Sequence, residues 1–231
     1  MRGVLRQQNP EFVRKTFSDV SDRYDLANRV LSGCSDWFWR RRAARLVART
    51  GPRSVLDLAT GSGDLALAIR EICPEAVVVG ADFCGPMLEK SRQKGAGNLV
   101  LADALKLPFA GEEFDVVTVA FGLRNMACWE LALQEMHRVL APGGRLFVMD
   151  FAMPEVPGFR WLYRIYLRGV LPVIAGWLTG HPEAYEYLGE SIELFPRWGD
   201  MVKLLRSCGF EGIQQEALGF GIAAIYQAVK P

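Results

Sequence analysis

From residue 54 onward, short and almost wholly apolar runs alternate with amphipathic stretches, and this alternation restricts the fold more than any other feature. We predict strands over residues 54–58, 76–81, 99–102, 114–120 and 145–150. Helices are predicted between them, over residues 64–72, 86–94 and 129–140. Strands that alternate with helices form parallel sheets, and a strand that is apolar throughout is covered on both faces. The sequence therefore predicts an α/β fold.

The regions outside this alternation extend the α/β core at both ends. Residues 8–50 are predicted to be helical with a break at Ser32-Gly33, and residues 155–198, rich in aromatic residues, predict an inserted group of helices. A helix over 200–208 and strands over 212–217 and 223–229 follow, and the closeness of these strands favours an antiparallel ending. We expect one domain over residues 1–231, with a helical lid (1–50), a cofactor-binding half (51–153), the insert (154–199) and a C-terminal part (200–231).

Composition excludes several classes of function. The 27 basic and 26 acidic residues nearly cancel, so no excess of positive charge indicates a nucleic-acid partner. The five cysteines contain no Cys-x-x-Cys pair, and the two histidines lie far apart, so we expect reduced thiols, a cytoplasmic location and no metal site. We also expect neither a secretory signal nor a membrane-spanning helix, because no apolar run has the required length and position.

A glycine-rich turn follows the first predicted strand, and acidic residues lie where the strands end. Gly61 and Gly63 allow the backbone to approach a ligand closely, and the next helix directs its amide end to the same place. Asp57 precedes the glycines, Asp82 ends the second strand and Asp103 follows the third. Because the carboxyl ends of parallel strands share one edge, we expect a nucleoside there, with Asp82 accepting both ribose hydroxyls.

Two kinds of cofactor fit this pattern. The spacing of the two glycines and of the following Ala66 satisfies the dinucleotide fingerprint, which would indicate a nicotinamide-dependent oxidoreductase. Asp57, however, would repel a pyrophosphate but could hold an ammonium group, and Asp103 is placed to meet the amine of an adenine. These charges favour S-adenosylmethionine. A plainer alternative is that Asp57 and Asp64, which lie near the turn, only cap the helix. That alternative does not explain Asp82 and Asp103.

Four segments resemble the quinone-biosynthesis C-methyltransferases, which methylate demethylmenaquinol and, in some organisms, a ubiquinol precursor. The segments are Tyr24-Asp25-Leu26-Ala27-Asn28-Arg29-Val30-Leu31-Ser32 with Trp39-Arg40, Phe121-Gly122-Leu123-Arg124-Asn125, Arg138-Val139-Leu140-Ala141-Pro142-Gly143-Gly144-Arg145, and Tyr185-Glu186-Tyr187-Leu188-Gly189-Glu190-Ser191-Ile192. The resemblance covers nearly the whole chain. It implies a class I, Rossmann-like methyltransferase fold, a seven-stranded and mostly parallel sheet whose last strand is antiparallel.

The resemblance also implies which residues contact S-adenosylmethionine. The positions that match the cofactor contacts of the family are Ser62, Asp82, Asp103, Ala104 and Ala120. To these the geometry of the turn adds Asp57, Gly61 and Gly63. The chain departs from the family before Trp39, where Cys34 and Asp36 stand at the positions of the usual glycine and histidine.

Methyl transfer to a ring carbon requires the reduced, hydroquinol form of the ring, because loss of a phenolic proton makes the carbon nucleophilic. We predict Arg124, Asn125 and Tyr24 as the catalytic residues. Arg124 would stabilise the phenolate or order a water molecule, Asn125 would hold one ring oxygen, and Tyr24 would bind the other or wall the pocket. The alternative for Arg124 is an ion pair at a strand end, and for Tyr24 a packed aromatic residue of the lid.

The insert carries a pattern of its own. Arg160, Arg164 and Arg168 recur every four residues, so they form one basic stripe on a helix that is otherwise apolar and aromatic. Such a helix is typical of a lid over an active site or of a membrane surface, and the two roles are compatible because a prenyl tail must leave the bilayer along an apolar path.

The sequence therefore predicts an S-adenosylmethionine-dependent enzyme that methylates the ring of a reduced, prenylated quinone, in the first place demethylmenaquinol. The benzoquinol of the ubiquinone pathway and another small aromatic or lipid substrate remain as alternatives, as does a non-catalytic role in a quinone-synthesis complex. Attachment to the inner face of the membrane and assembly into a homodimer or such a complex are left open.

Overall fold

The structure is a computed structural model that describes residues 35–179 and 182–231. Its strands are β1 (Ser54–Leu58), β2 (Val77–Asp82), β3 (Asn98–Leu101), β4 (Phe114–Ala120), β5 (Leu140–Phe151), β6 (Glu211–Leu218) and β7 (Ala223–Val229). Its α-helices are α1 (Ser35–Ala48), α2 (Asp64–Ile72), α3 (Gly85–Gln93), α4 (Trp129–Val139), α5 (Pro157–Ile165), α6 (Leu171–Thr179), α7 (Pro182–Leu194) and α8 (Gly199–Ser207). A π-helix (Tyr166–Val170) joins α5 to α6, and short 3-10 helices follow β4 (Leu123–Asn125) and β6 (Gly219–Gly221).

The strands form one seven-stranded sheet in the order β3-β2-β1-β4-β5-β7-β6. The pairs from β3 to β5 are parallel, whereas β7 is antiparallel to both of its neighbours, β5 and β6. Only a short 3-10 helix connects β6 to β7, which leaves room for a hairpin but not for a crossover. The predicted α/β fold, with its mostly parallel sheet and antiparallel last strand, is confirmed.

Both faces of the sheet bury apolar side chains, as continuously apolar strands predict. On one face, Leu56 and Val117 belong to a core that includes side chains of α4 and α8. On the other face, Val55 and Val116 pack with side chains of α1 and α2. Because successive side chains of a strand point to opposite faces, neighbouring valines of β4 contribute to different cores.

The strand predicted over residues 145–150 begins earlier, at Leu140. Leu140 pairs with Phe114, and the next pair along the two strands is Arg145 with Val116. Residues 141–144 therefore have no partner of their own in β4 and form a bulge in β5. Within it, Gly143 has φ of +76°. The Pro-Gly-Gly segment that ends α4 therefore also belongs to the sheet, because the helix passes into the strand without an intervening loop.

The insert contains a small core of its own. Met153, Tyr163, Leu167, Tyr185 and Ile192 are buried together and connect α5, the π-helix and α7 to the segment after β5. The arginines of the predicted stripe are engaged within the insert. Arg160 donates to the carbonyls of residues 154 and 155, and both Arg164 and Arg168 form ion pairs with Glu193. Among the residues described, no helix has the length and apolar character that a membrane span requires.

Candidate active site

A crevice opens at the carboxyl ends of the strands, where β1 and β4 lie side by side and the chain continues toward opposite edges of the sheet. Ligands of open α/β sheets bind at such switch points. The walls come from residues that follow β1, β2, β3 and β4 and from the end of the first 3-10 helix. The crevice encloses about 850 Å³ when the part open to solvent is included, a size typical of small-molecule sites.

Two unusual backbone conformations shape the mouth of the crevice. Ala59 and Phe121, the residues directly after β1 and β4, have positive φ angles of 53° and 58°. This left-handed conformation is uncommon for residues other than glycine, and it occurs preferentially at functional sites. Gly122 lies so close to the first turn that an added Cβ would be 2.5 Å from the Cβ of Ala59. The sequence does not reveal these turns, because neither alanine nor phenylalanine signals a positive φ.

Asp57 lies in β1, beneath the glycine turn, and is not among the residues that line the crevice. Its carboxylate accepts hydrogen bonds from the hydroxyls of Thr60 and Thr118, each at 2.7 Å. Burial raises the pKa of Asp57 to about 6, although both hydroxyls oppose that shift. In this geometry the carboxylate ties β1 to β4 and to the turn, and its contact with an ammonium group stays a prediction.

The residues predicted in the turn have different surroundings. Gly61 lines the crevice, and its φ of +56° turns its amide toward Asp82. Gly63, with φ of +83°, faces α3, where an added Cβ would lie 2.2 Å from Ser91 Oγ. Ser62 is buried and does not line the crevice. Gly63 thus permits close packing of α2 on α3, and it shapes the turn without reaching the crevice.

Asp82 lies at the end of β2 and lines the crevice, as predicted. One carboxylate oxygen accepts the amide of Gly61 at 2.8 Å, and the other accepts the amide of Cys84 at 2.9 Å. Burial raises the pKa of Asp82, while these amides and that of Phe83 oppose the shift by stabilising the charged form. The backbone therefore holds the carboxylate in one orientation, and its remaining lone pairs can accept the hydroxyls of a ribose.

The other predicted cofactor residues, Asp103, Ala104 and Ala120, also line the crevice. Asp103 Oδ1 accepts the amide of Leu105 at 2.9 Å, which fixes the bend after β3. Sequence analysis missed the apolar lining from Phe83 and Met87. The position of Phe83 directly after Asp82 was a usable signal, since the residue that follows the ribose-binding acid lies at the same edge of the sheet.

Arg124 forms the ion pair that the alternative interpretation predicts. Its Nη1 donates to Asp150 Oδ1 at 2.7 Å and to the carbonyl of Phe121 at 2.5 Å. Its guanidinium also lies over the ring of Phe151, 5.3 Å from the centroid. Burial raises the pKa of Asp150, and the charge of Arg124 opposes the shift. Arg124 is not among the residues that line the crevice, so its direct catalytic role stays a prediction.

Asn125 does line the crevice, at the end of the 3-10 helix. Its Nδ2 donates to the carbonyl of Phe121 at 3.3 Å, and its Oδ1 accepts the hydroxyl of Tyr187 at 3.1 Å. Tyr187 belongs to α7 and to the Tyr-x-Tyr-Leu segment, and its position in the sequence alone does not indicate a role. The remaining catalytic candidate, Tyr24, lies outside the described residues.

The lining suits the parts of S-adenosylmethionine. The apolar side chains of Phe83 and Met87 offer a surface for an adenine ring, while Asp82 and Asp103 offer acceptors for the hydroxyls and the amine of the nucleoside. The buried carboxylate of Asp82 contributes most to this fit, because the backbone amides of Gly61 and Cys84 hold it in a fixed orientation.

Solved structures of methyltransferases share the fold. A methyltransferase from Thermotoga maritima, described as S-adenosylmethionine-dependent and a possible histamine N-methyltransferase, has a TM-score of 0.70 and 18% identity, with 95% of this chain and all of that chain covered. Human N-acetylserotonin methyltransferase, solved in complex with S-adenosylmethionine, has a TM-score of 0.64 and 17% identity, with 93% of this chain and 57% of that chain covered.

Curated relatives are much more similar in sequence. A demethylmenaquinone methyltransferase of Thermus thermophilus is 47% identical over 93% of this chain and 100% of the relative, and one of Deinococcus radiodurans is 42% identical over 96% and 93%. The ubiquinone/menaquinone biosynthesis C-methyltransferase UbiE of Geotalea daltonii is 39% identical over 95% and 97%.

The profile of the ubiE/COQ5 methyltransferase family matches residues 4–230. This match confirms the resemblance drawn from the four segments, and with the relatives and the fold it confirms an enzyme whose cofactor is S-adenosylmethionine. The nicotinamide alternative is set aside on the same grounds. The chain therefore belongs to the ubiE/COQ5 methyltransferase family.

Proposed function

We propose that this enzyme methylates a ring carbon of demethylmenaquinol, the reduced form of a prenylated naphthoquinone. The relatives that are 47% and 42% identical are named demethylmenaquinone methyltransferases, whereas the names that include ubiquinone appear here at 39–41% identity. The naphthoquinol is therefore the first substrate to test, and the benzoquinol of the ubiquinone pathway is the second.

This proposal rests on the contact between two of the four segments that resemble the family. Asn125 ends the Phe-Gly-Leu-Arg-Asn segment and Tyr187 lies in the Tyr-x-Tyr-Leu segment, yet their side chains meet beside the crevice at 3.1 Å. A methyltransferase for an unrelated substrate needs the cofactor residues that follow β1 to β3 but has no need for these two segments. Their meeting point therefore marks the side of the crevice where the ring would lie.

S-adenosylmethionine would supply an electrophilic methyl group when bound. The work of the chain is to hold the nucleoside with Asp82 and Asp103 and to align the ring carbon, since alignment alone can account for several orders of magnitude in rate. Asn125 lines the crevice with an amide that can donate to a ring oxygen as its phenolic proton is lost. Arg124, paired with Asp150, donates to the carbonyl of Phe121 and so supports the turn that carries Asn125.

The proposal is tested by anaerobic assay of short-chain demethylmenaquinol and the matching demethylated benzoquinol, each supplied reduced and oxidised, with products read by mass. We expect the mass of one methyl group to be added to the reduced naphthoquinol and not to either oxidised ring. Preference for the benzoquinol would indicate that the enzyme acts in the ubiquinone pathway. Methylation of neither ring by an enzyme that binds S-adenosylmethionine would overturn the proposed substrate class.

The insert also offers a surface for the membrane in which a prenylated substrate resides. Trp161, Leu162 and Val173 are 65%, 56% and 71% exposed, and Phe220 from the β6–β7 connection is 92% exposed. Trp161, Leu162 and Ile165 occupy adjacent positions on α5, so they form one apolar face of that helix. An amphipathic helix with an exposed tryptophan binds at the interface of a bilayer. The enzyme would thus reach its substrate from the membrane surface.

Cosedimentation with phosphatidylcholine vesicles, with and without phosphatidylglycerol, tests this contact. The double variant Trp161→Ser/Leu162→Ser should bind less than the wild type because it loses apolar area on α5. The variant Leu131→Ser is the matched control, since Leu131 is also half exposed but lies on α4. Equal binding by the wild type and the double variant would exclude α5 as the membrane-binding surface.

A further inference from the structure

The hydrogen bond between Tyr187 and Asn125 also determines which way the side-chain amide of Asn125 is turned. Both atoms of the Asn125 amide group are engaged, Nδ2 by the carbonyl of Phe121 and Oδ1 by the hydroxyl of Tyr187. A backbone carbonyl can only accept a hydrogen bond, so the nitrogen of the amide must face Phe121. The oxygen then faces Tyr187, whose hydroxyl must donate.

This arrangement determines what Asn125 presents to the crevice. An amide nitrogen carries two hydrogens, and the Phe121 carbonyl takes one of them. The second has no acceptor among the protein groups that the structure describes, and Asn125 lines the crevice. Asn125 is therefore arranged as a donor toward a ligand. Rotation of the amide by half a turn would present an acceptor instead.

We infer that Tyr187 is a positioning residue, which holds the Asn125 amide so that its free N–H points to the substrate oxygen that becomes negatively charged during methyl transfer. The inference rests on the proposed function, because that function provides a phenolic oxygen in the crevice. A donor that is oriented in advance stabilises the developing charge without reorganisation at the moment of reaction. The hydroxyl itself need not touch the substrate.

The surroundings of Tyr187 suit this role. Its side chain is buried, and α7 packs tightly on the π-helix, where a Cβ added to Gly189 would lie 3.1 Å from the carbonyl of Leu167. Burial raises the pKa of the Tyr187 hydroxyl, with a smaller contribution from Asp150, while Arg124 opposes the shift. The hydroxyl therefore keeps its proton at neutral pH and remains a donor to Asn125.

The decisive variants are Tyr187→Phe, Asn125→Ala and the combination of both. Loss of the donor in Asn125→Ala should lower kcat about a hundredfold, and loss of its orientation in Tyr187→Phe should lower kcat about tenfold. The Kd for S-adenosylmethionine, and the Kd for demethylmenaquinol in the presence of S-adenosylhomocysteine, should stay near wild-type values for Tyr187→Phe. Tyr185→Phe is the control, since it removes another buried tyrosine hydroxyl from α7.

The double variant separates positioning from a merely structural effect. If Tyr187 acts through Asn125, Tyr187→Phe should not slow Asn125→Ala any further, whereas a general loss of packing would multiply the two effects. Multiplying effects, or a wild-type kcat in Tyr187→Phe, would overturn this inference while leaving the proposed function intact. Absence of quinol methylation by the wild type would overturn both.

Discussion

Arg124 and Asp150 form an ion pair across 2.7 Å in which the two side chains are only 4% and 1% exposed. The same guanidinium donates to the carbonyl of Phe121, the carbonyl that also receives the amide of Asn125. One buried pair therefore supports the turn from which the catalytic candidate Asn125 extends. A buried charge without its partner is costly, so the pair is expected to stabilise the fold. Because it also supports the turn that carries Asn125, it is expected to contribute to catalysis.

Arg124→Ala tests that dual role. Removing the guanidinium leaves Asp150 buried without its partner, so the free energy of unfolding should fall by about 3 kcal/mol, and most turnover should be lost. Urea denaturation measures the first effect and the methyl-transfer assay the second, while the Kd for S-adenosylmethionine should change little. Lys203→Ala, which breaks the exposed pair with Asp200, serves as the control and should leave stability nearly unchanged. A large loss of cofactor affinity in Arg124→Ala would contradict the assignment.

Asp57 should make the enzyme less stable as the pH rises from about 4 to about 6. Its pKa is raised to about 6 in the folded protein, whereas an unfolded aspartate titrates near about 3.9. Between these values the folded state binds the extra proton, so deprotonation opposes folding by up to about 3 kcal/mol. Asp57→Asn cannot titrate, and its stability relative to the wild type should therefore increase across this window. A difference in denaturation midpoint that is independent of pH would contradict the shifted pKa.

Gly122→Ala should disturb the mouth of the crevice. The added methyl group would lie 2.5 Å from the Cβ of Ala59, so one of the two turns must move. We expect a loss of about 1–3 kcal/mol in stability and weaker binding of S-adenosylmethionine in titration calorimetry. In Gly158→Ala the new Cβ meets open space, so that variant should resemble the wild type. Unchanged stability and affinity in Gly122→Ala would show that the turns are not closely packed.

Asp82→Ala should affect the cofactor and not the quinol. Loss of two charge-assisted hydrogen bonds to a ribose corresponds to an increase of about a hundredfold in the Kd for S-adenosylmethionine. Asp115→Ala is the matched control, because Asp115 also accepts backbone amides, those of Arg53 and Ser54, but lies at the opposite end of β4. If both variants bound the cofactor equally well, Asp82 would not be the ribose-binding residue.

The fold was predictable from sequence because it depends on periodicity. Strands that are buried on both faces must be apolar throughout, and β1, β2, β3 and β4 each appear at the expected place within a residue or two. β5 differs because the Pro-Gly-Gly segment resembles a turn that ends a helix, while its pairing of Leu140 with Phe114 depends on a strand remote in sequence. The antiparallel β7 was predictable from the short connection alone.

The candidate site was only partly predictable, because one residue pattern can satisfy two physical needs. Gly61 and Gly63 look alike in sequence, yet one lines the crevice and the other allows α2 to pack on Ser91. An aspartate before a glycine turn indicates a ligand contact as readily as it indicates hydrogen bonds to Thr60 and Thr118. The partner of Asn125 could not be deduced, since the contact depends on how α7 packs in three dimensions.

Transfer of a methyl group to a carbon atom of the reduced naphthoquinone ring is tested by identifying the atom that receives the group. Demethylmenaquinol is incubated anaerobically with the enzyme and deuteromethyl-labelled S-adenosylmethionine, and the product is then exposed to air and examined by absorbance and mass. A carbon-methylated quinol oxidises to a labelled quinone, and this is the predicted result. A labelled product that resists oxidation would be an oxygen methyl ether, and it would show that the enzyme does not methylate a ring carbon.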